Sequence, residues 1–212
     1  MSGKHAVRPD ASFKVCLALV LSGVLSACGS ILDSKRPAPE EYVLQTRFAP
    51  AAALEGAQGV QVLRVQAEPG YDTQRILTRH SDGRLEPIRD ARWVGTVPRM
   101  LEMAAVDALR AQGIPAETSS SLSRQPQALQ LTVRRFDAVY SESGAAPTVV
   151  VAIDAEWLLR SDRLSIRQDT ATIEVRAAAN RRGAITAAFA EATQGALAKL
   201  AIQAGNVTAL QQ

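Results

Sequence analysis

Residues 148–159, TVVVAIDAEWLL, decide the fold. Val149, Val151, Ile153, Ala155, Trp157 and Leu159 share one parity, while Asp154 and Glu156 fall on the other. Successive side chains of a strand point to opposite faces, so this is a strand with an apolar face toward a core and a face toward water. It carries the longest single-parity apolar face in the chain and is predicted to be the central strand of a sheet.

The flanking segments agree. Leu129, Leu131 and Val133 alternate on one parity, and Phe136, Ala138 and Tyr140 on the opposite one. A one-residue slip would turn the whole apolar set to solvent, so Arg134-Arg135 is predicted to mark a β-bulge. Downstream, Ser161-Asp162-Arg163 is read as the turn into a strand over Leu164 to Val175. Ala184 to Gln203 then follows as an alanine-rich helix with Ile185, Phe189, Ala192, Ala196 and Leu200 on one stripe.

Toward the amino terminus, short β-type segments are predicted at Tyr42 to Gln45, Val60 to Gln66, Arg75 to Arg79 and Arg84 to Pro87. Ser81-Asp82-Gly83 makes a hairpin turn between the last two, because Asp-Gly tolerates positive φ. Between Trp93 and Gln112 the period changes: Val94, Val97, Leu101, Ala104, Ala105 and Ala108 share a helical face that Gly113 and Pro115 terminate. A serine-rich loop, Thr118 to Gln127, separates the two halves. The pattern is α+β, a single domain whose mostly antiparallel, hairpin-rich sheet is covered by two helices. No fixed-period repeat is present.

Composition supports one globular domain: 212 residues, 47% apolar and 21% charged. Three basic residues and one acidic residue precede Cys28, so the rest of the chain has a formal net charge of +1. Its arginines are scattered rather than clustered, which argues against a nucleic-acid partner.

The first 27 residues are a basic stretch to Lys14, an apolar run from Val15 to Leu25, then Ser26 and Ala27. That order is the grammar of a signal peptide. The run is too short for the roughly 20 residues a transmembrane helix needs, and lacks the polar residues of a soluble helix's outer face. Leu25-Ser26-Ala27-Cys28 resembles the bacterial lipobox. The resemblance implies cleavage before Cys28 and acylation of that residue by three fatty chains, palmitate among them. At about 0.8 kcal/mol per buried CH₂, three chains make a stable anchor where one does not. The competing reading is a small buried cysteine in an uncleaved segment. With Cys16 removed and Cys28 alkylated, neither a disulfide nor a cysteine metal site remains.

The predicted organisation is therefore a lipoprotein signal peptide over 1–27, a lipidated tether over 28–41, a domain over 42–205 and a tail over 206–212. The tether, GSILDSKRPAPEE after Cys28, shows neither helical nor strand periodicity.

Catalytic constellations are hard to assemble. His80 is the one histidine after Cys28, and no Gly-x-Ser-x-Gly elbow occurs. Asp154 and Glu156 share a strand face, as an acid/base pair or metal site would. They also sit where solvated residues of a half-buried strand belong, which is the stronger reading. Ser2-Gly3-Lys4 lacks the upstream glycine of a phosphate loop. Asn206-Val207-Thr208 fits a glycosylation sequon, a chance match behind a bacterial signal. The expectation is no enzyme, no cofactor and no metal, with Cys28 the sole assigned site.

Several segments together resemble the ABC-type transport auxiliary lipoprotein family. They are the lipobox, Tyr42-Val43-Leu44, Tyr71-Asp72 leading to Ile76-Leu77-Thr78-Arg79, Arg92-Trp93 opening the first helix, Phe136-Asp137, and the terminal helix. Gly95 and Val97-Pro98 depart from the family pattern, which more often has acidic and leucine residues there. The resemblance implies a non-catalytic periplasmic lipoprotein beside an MCE-domain protein and an inner-membrane ABC permease and ATPase that move phospholipid. Gly29 rather than aspartate after the cysteine points to the outer membrane, with the inner membrane the other choice. Direct contact with phospholipid and assembly into a homo-oligomer stay open. An outer-membrane structural or assembly lipoprotein is the alternative class, and a periplasmic hydrolase a third that lacks an active-site cluster.

Overall fold

The computed structural model describes residues 38–51, 57–141, 144–161 and 164–209, with backbone alone for 205–209. The proposed signal peptide, Cys28, most of the tether and Asp162-Arg163 of the expected turn lie outside the described residues.

Among those residues are nine strands and two helices. They are β1 (Glu40–Tyr42), β2 (Val60–Val62), β3 (Gln66–Ala67), β4 (Arg75–Arg79), β5 (Leu85–Trp93), α1 (Val97–Ala111), β6 (Ala116–Thr118), β7 (Gln127–Val139), β8 (Thr148–Leu159), β9 (Leu164–Arg176) and α2 (Arg182–Ala209). The architecture is α+β, a single open sheet with both helices against one face.

The axis of the sheet is β7. One side pairs antiparallel with β8 along its whole length. The other side is shared in sequence by β2, β3 and β4, all parallel to it. β6 extends β2 in parallel, β5 pairs antiparallel with β4, and β1 closes that edge parallel to β5. Long hairpin partners are thus antiparallel, as expected, while short strands add in parallel.

The core face follows the parity of residues 148–159. Val149, Val151, Ile153, Ala155 and Trp157 are buried, as is the predicted stripe of α2 from Ile185 to Leu200. The expected bulge is present, since the β7–β8 register shifts between Val133 and Arg135 and thereby restores Phe136 and Ala138 to the core. Trp93, Phe136 and Phe189 lock β5, β7 and α2 together, with ring centroids 4.8 to 6.1 Å apart. The tilted and edge-on geometries suit aromatic quadrupoles. The hairpin turn forms as well: the Gly83 N–H donates to the His80 carbonyl at 2.9 Å, and Gly83 takes φ +85°.

Four readings need correction. Trp93 ends β5 instead of opening a helix, because its N–H donates to the Gln74 carbonyl at 2.7 Å and its ring fills the core. The helix begins at Val97 behind the extended Thr96, with proline in its first turn where a missing N–H is harmless. Val94, placed on the helix stripe, is half-exposed and outside it. The segment after Tyr42 alternates in exposure as a strand does, but beyond β1 it makes no ladder. It runs over the helices instead, the Arg47 N–H donating to Gln194 of α2 at 3.1 Å and the Ala51 N–H to the carbonyl of Ala111 at 2.6 Å. Val60 to Gln66 divides into β2 and β3, and β6 was not foreseen.

Candidate functional site

Asp154 and Glu156 lie on the outer face of β8, in a depression of about 270 Å³ lined also by Gln130, Thr132, Arg134, Gln168 and Thr170. Both accept hydrogen bonds from neighbouring strands. Asp154 accepts from Arg134 Nε at 2.6 Å and from the Thr170 hydroxyl at 2.9 Å, and Glu156 accepts from Gln168 at 3.3 Å. Arg134 also pairs with Glu68. Asp154 is held in a surface ion network and Glu156 by one hydrogen bond from β9, the solvated arrangement their parity implied.

His80 flanks the Gly83 turn and meets Glu86 at 2.9 Å, both side chains being well exposed. Neither is near Asp154 in the pairing of the sheet, for His80 follows β4 at the carboxyl end of β7, whereas Asp154 pairs with Thr132 in its middle. Among the described residues no group of three or more His, Cys, Asp and Glu is placed to hold a metal. No described helix is long and apolar enough to cross a membrane.

A second polar cluster joins residues that the sequence offers only as separate family-like segments, Tyr71, Arg79 and Asp137, with no role assigned to them. Asp137 on β7 is fully buried, although its parity points to the outer face. The hydroxyl of Tyr71, in the loop between β3 and β4, donates to it, Arg135 Nη2 donates at 2.8 Å, and Arg79 Nε at 3.2 Å. Arg79 also donates to the Tyr71 hydroxyl. Burial, and then the hydrogen bond to Asp137, push the Tyr71 phenol above its ordinary pKa. Val150 and Ala152, beside Asp137 and Arg135 across the ladder, are buried on this same outer face. The available signal was an aspartate between Phe136 and Ala138 with arginine two positions before it.

Serine hydroxyls of the loop after β6 are organised by carboxylates. Glu117 accepts from Ser121 and Ser123, an arrangement that lowers its pKa, and buried Glu102 accepts from Ser119 at 3.0 Å.

On the helix side the surface is different. A groove of about 300 Å³, mostly apolar, is lined by Val43, Leu44, Val94, Met100, Met103 and Ala104, with Arg99 and Asp107 at its rim. Val43, Val94 and Met103 are each about half exposed. Val43 also borders a neighbouring groove against Ala187 and Ala190 of α2. The domain thus has an ionic sheet face, and a helix face with exposed apolar side chains beside the entering segment.

The family model described as ABC-type transport auxiliary lipoprotein component matches residues 42–204. The chain belongs to this family. Its matched span contains all of the sheet except the start of β1, and both helices but for the last turn of α2. This auxiliary lipoprotein is therefore one of a membrane-anchored, periplasm-facing group associated with ABC-type transport. Its fold is similar to that of the protein XCC0632 of Xanthomonas campestris, at 24% identity over 81% of this chain and 97% of that one, with a TM-score of 0.72. The hypothetical protein CT253 of Chlamydia trachomatis is similar at 7% identity over 73% of this chain and 99% of that one, with a TM-score of 0.52. Such distant likenesses concern the fold alone. No curated protein sequence is significantly similar to the chain.

Proposed function

We propose that this auxiliary lipoprotein is a non-catalytic, outer-membrane-anchored component of an ABC and MCE-type system that moves phospholipid between the two membranes. The family match over residues 42–204 carries the reading, and the Leu25-Ser26-Ala27-Cys28 sequence supplies its anchor. Lipid on Cys28 confines the domain to a membrane and raises its effective concentration beside an MCE-domain partner and the inner-membrane permease and ATPase. The domain itself acts by docking: Asp154 and Glu156 are committed to ion pairs and hydrogen bonds, and His80 to Glu86.

Genetics tests the reading. Deleting the gene should sensitise cells to detergent as deleting the MCE partner does, and the double deletion should be no worse than either single one. Wild-type protein should rescue the phenotype, and an exported version without Cys28 should rescue poorly. A clearly additive double deletion, or full rescue by the unanchored domain, would refute the shared pathway or the role of the anchor respectively.

A further inference from the structure

We infer that the groove between Val43, Val94, Met100 and Met103 rests on the surface of the phospholipid bilayer that holds the anchor, so that the sheet face is turned away from it. The inference rests on the proposed lipid anchor at Cys28 and adds an orientation and a lipid-contacting surface to it. Exposed Val43, Val94 and Met103 surround a concavity whose lining is largely apolar, and water-exposed apolar surface of this kind is stabilised by contact with a partner of like polarity. Methionine side chains adapt to an irregular, moving surface better than branched ones do.

Chain length puts this face nearest the bilayer that holds the anchor. Only 15 residues separate Cys28 from Val43, a reach of about 50 Å at full extension, and a domain of this size measures roughly 40 Å across. Orientations that put the groove side against the membrane need the least stretching of this connection, whereas placing the opposite side there uses nearly all of it. Charge agrees with the direction. Arg99 lines the groove and, although paired with Glu102 at 3.3 Å, is 56% exposed, and exposed Arg47 follows on the entering segment, so both keep donors for lipid phosphates. Glu40 and Glu41 of that segment are paired with Arg182 and Arg92, and Asp107 is the one carboxylate in the lining. The outer sheet face instead presents Glu68 and Asp154 paired with Arg134, and the Glu156 carboxylate in the same depression, groups costly to desolvate against lipid.

The test uses the full-length, processed lipoprotein in a Cys16→Ser background, reconstituted into vesicles of phosphatidylethanolamine and phosphatidylglycerol. Val94→Cys, Met103→Cys and, on the outer sheet face, Thr172→Cys carry a polarity-sensitive fluorophore, and the vesicles contain a lipid-borne nitroxide. The parent should float with the vesicles and take no label, because its Cys28 is acylated; failure here refutes the anchor. With flotation intact, labels at 94 and 103 should shift to the blue and lose most of their emission to the nitroxide, while the label at 172 does neither. Val94→Glu combined with Met103→Glu, both at exposed positions, should still float but abolish quenching of a label at Val43→Cys. Flotation without quenching at 94 and 103, or equal quenching at 172, overturns the inference while sparing the anchor. Shielding that develops only when the transporter proteins are added assigns the groove to protein docking and overturns it too.

Discussion

Two arginine and aspartate clusters stand on adjoining parts of the same outer sheet face and differ in almost everything except chemistry. Around Asp137 the carboxylate is fully buried, and two arginines and a tyrosine satisfy it. Around Asp154 the carboxylate remains about one-third exposed and shares Arg134 with Glu68. In water an ion pair gains little beyond the hydration it gives up, whereas a buried charge without its partners is strongly disfavoured. The first cluster therefore closes a structural joint between the β3–β4 loop, β4 and β7. The second dresses a solvated surface.

The core sets the scale for breaking this contrast. Trp157→Ala should cost about 3 to 5 kcal/mol, a large share of a typical domain's stability, and thermal or denaturant melts should show it. Its indole N–H is buried without an acceptor among the described residues, so Trp157→Phe should lose far less than the change in ring size suggests. Asp137→Ala should follow at about 2 to 3 kcal/mol, below the full cost of an orphaned buried charge because Arg79 and Arg135 keep about a third of their side-chain exposure and can turn to water. If Asp137→Ala melts like wild type, the joint is not structural and the contrast between the clusters fails.

Alkaline titration sharpens the same contrast. The Tyr71 pKa is raised in the folded state, so the fold binds that proton more tightly than the unfolded chain does. Its contribution is complete below the unfolded tyrosine value of about 10 and is lost as pH rises through the folded one. Tyr42 and Tyr140 are also shifted upward and add to the slope. Tyr71→Phe should cost about 1 kcal/mol at neutral pH through the lost hydrogen bond, yet fall less steeply above pH ~10. Parallel wild-type and Tyr71→Phe curves through that range would mean that Tyr71 does not report on the joint.

What the sequence made legible depended on strand length. β7 and β8 run for 13 and 12 residues, long enough for parity, the Arg134-Arg135 bulge and the apolar stripe of α2 to agree with one another. β1, β2, β3 and β6 have two or three residues each, too few for a period, and their partners are distant in the chain. Trp93 was misplaced because an aromatic next to a helical pattern reads as part of it, whereas its ring belongs to a cluster with Phe136 and Phe189. Asp137 is visible in the sequence as part of the Phe136-Asp137 segment, but its partners are not. Tyr71 lies 66 positions away, and only the parallel pairing of β4 with β7 brings that neighbourhood to it. The solvated character of Asp154 and Glu156, by contrast, needed nothing beyond local alternation.

The smallest expected effect is the most discriminating. Asp154→Ala removes the acceptor of Arg134 Nε and of the Thr170 hydroxyl, but both donors face water and Arg134 retains Glu68. The loss should stay within about 1 kcal/mol and shrink further in high salt, since exposed pairs are weak and screened over a Debye length of about 10 Å at 0.1 M. Asp137→Ala, whose carboxylate is shielded from ions, should keep most of its cost in the same buffer. Melts of the two variants at low and high salt therefore give two separate signatures, one salt-sensitive and small, the other salt-resistant and large. If Asp154→Ala also abolished complementation in cells while leaving the melt unchanged, the outer sheet face would be a functional surface, and the polar depression around it would replace the helix-side groove as the place to look for a partner.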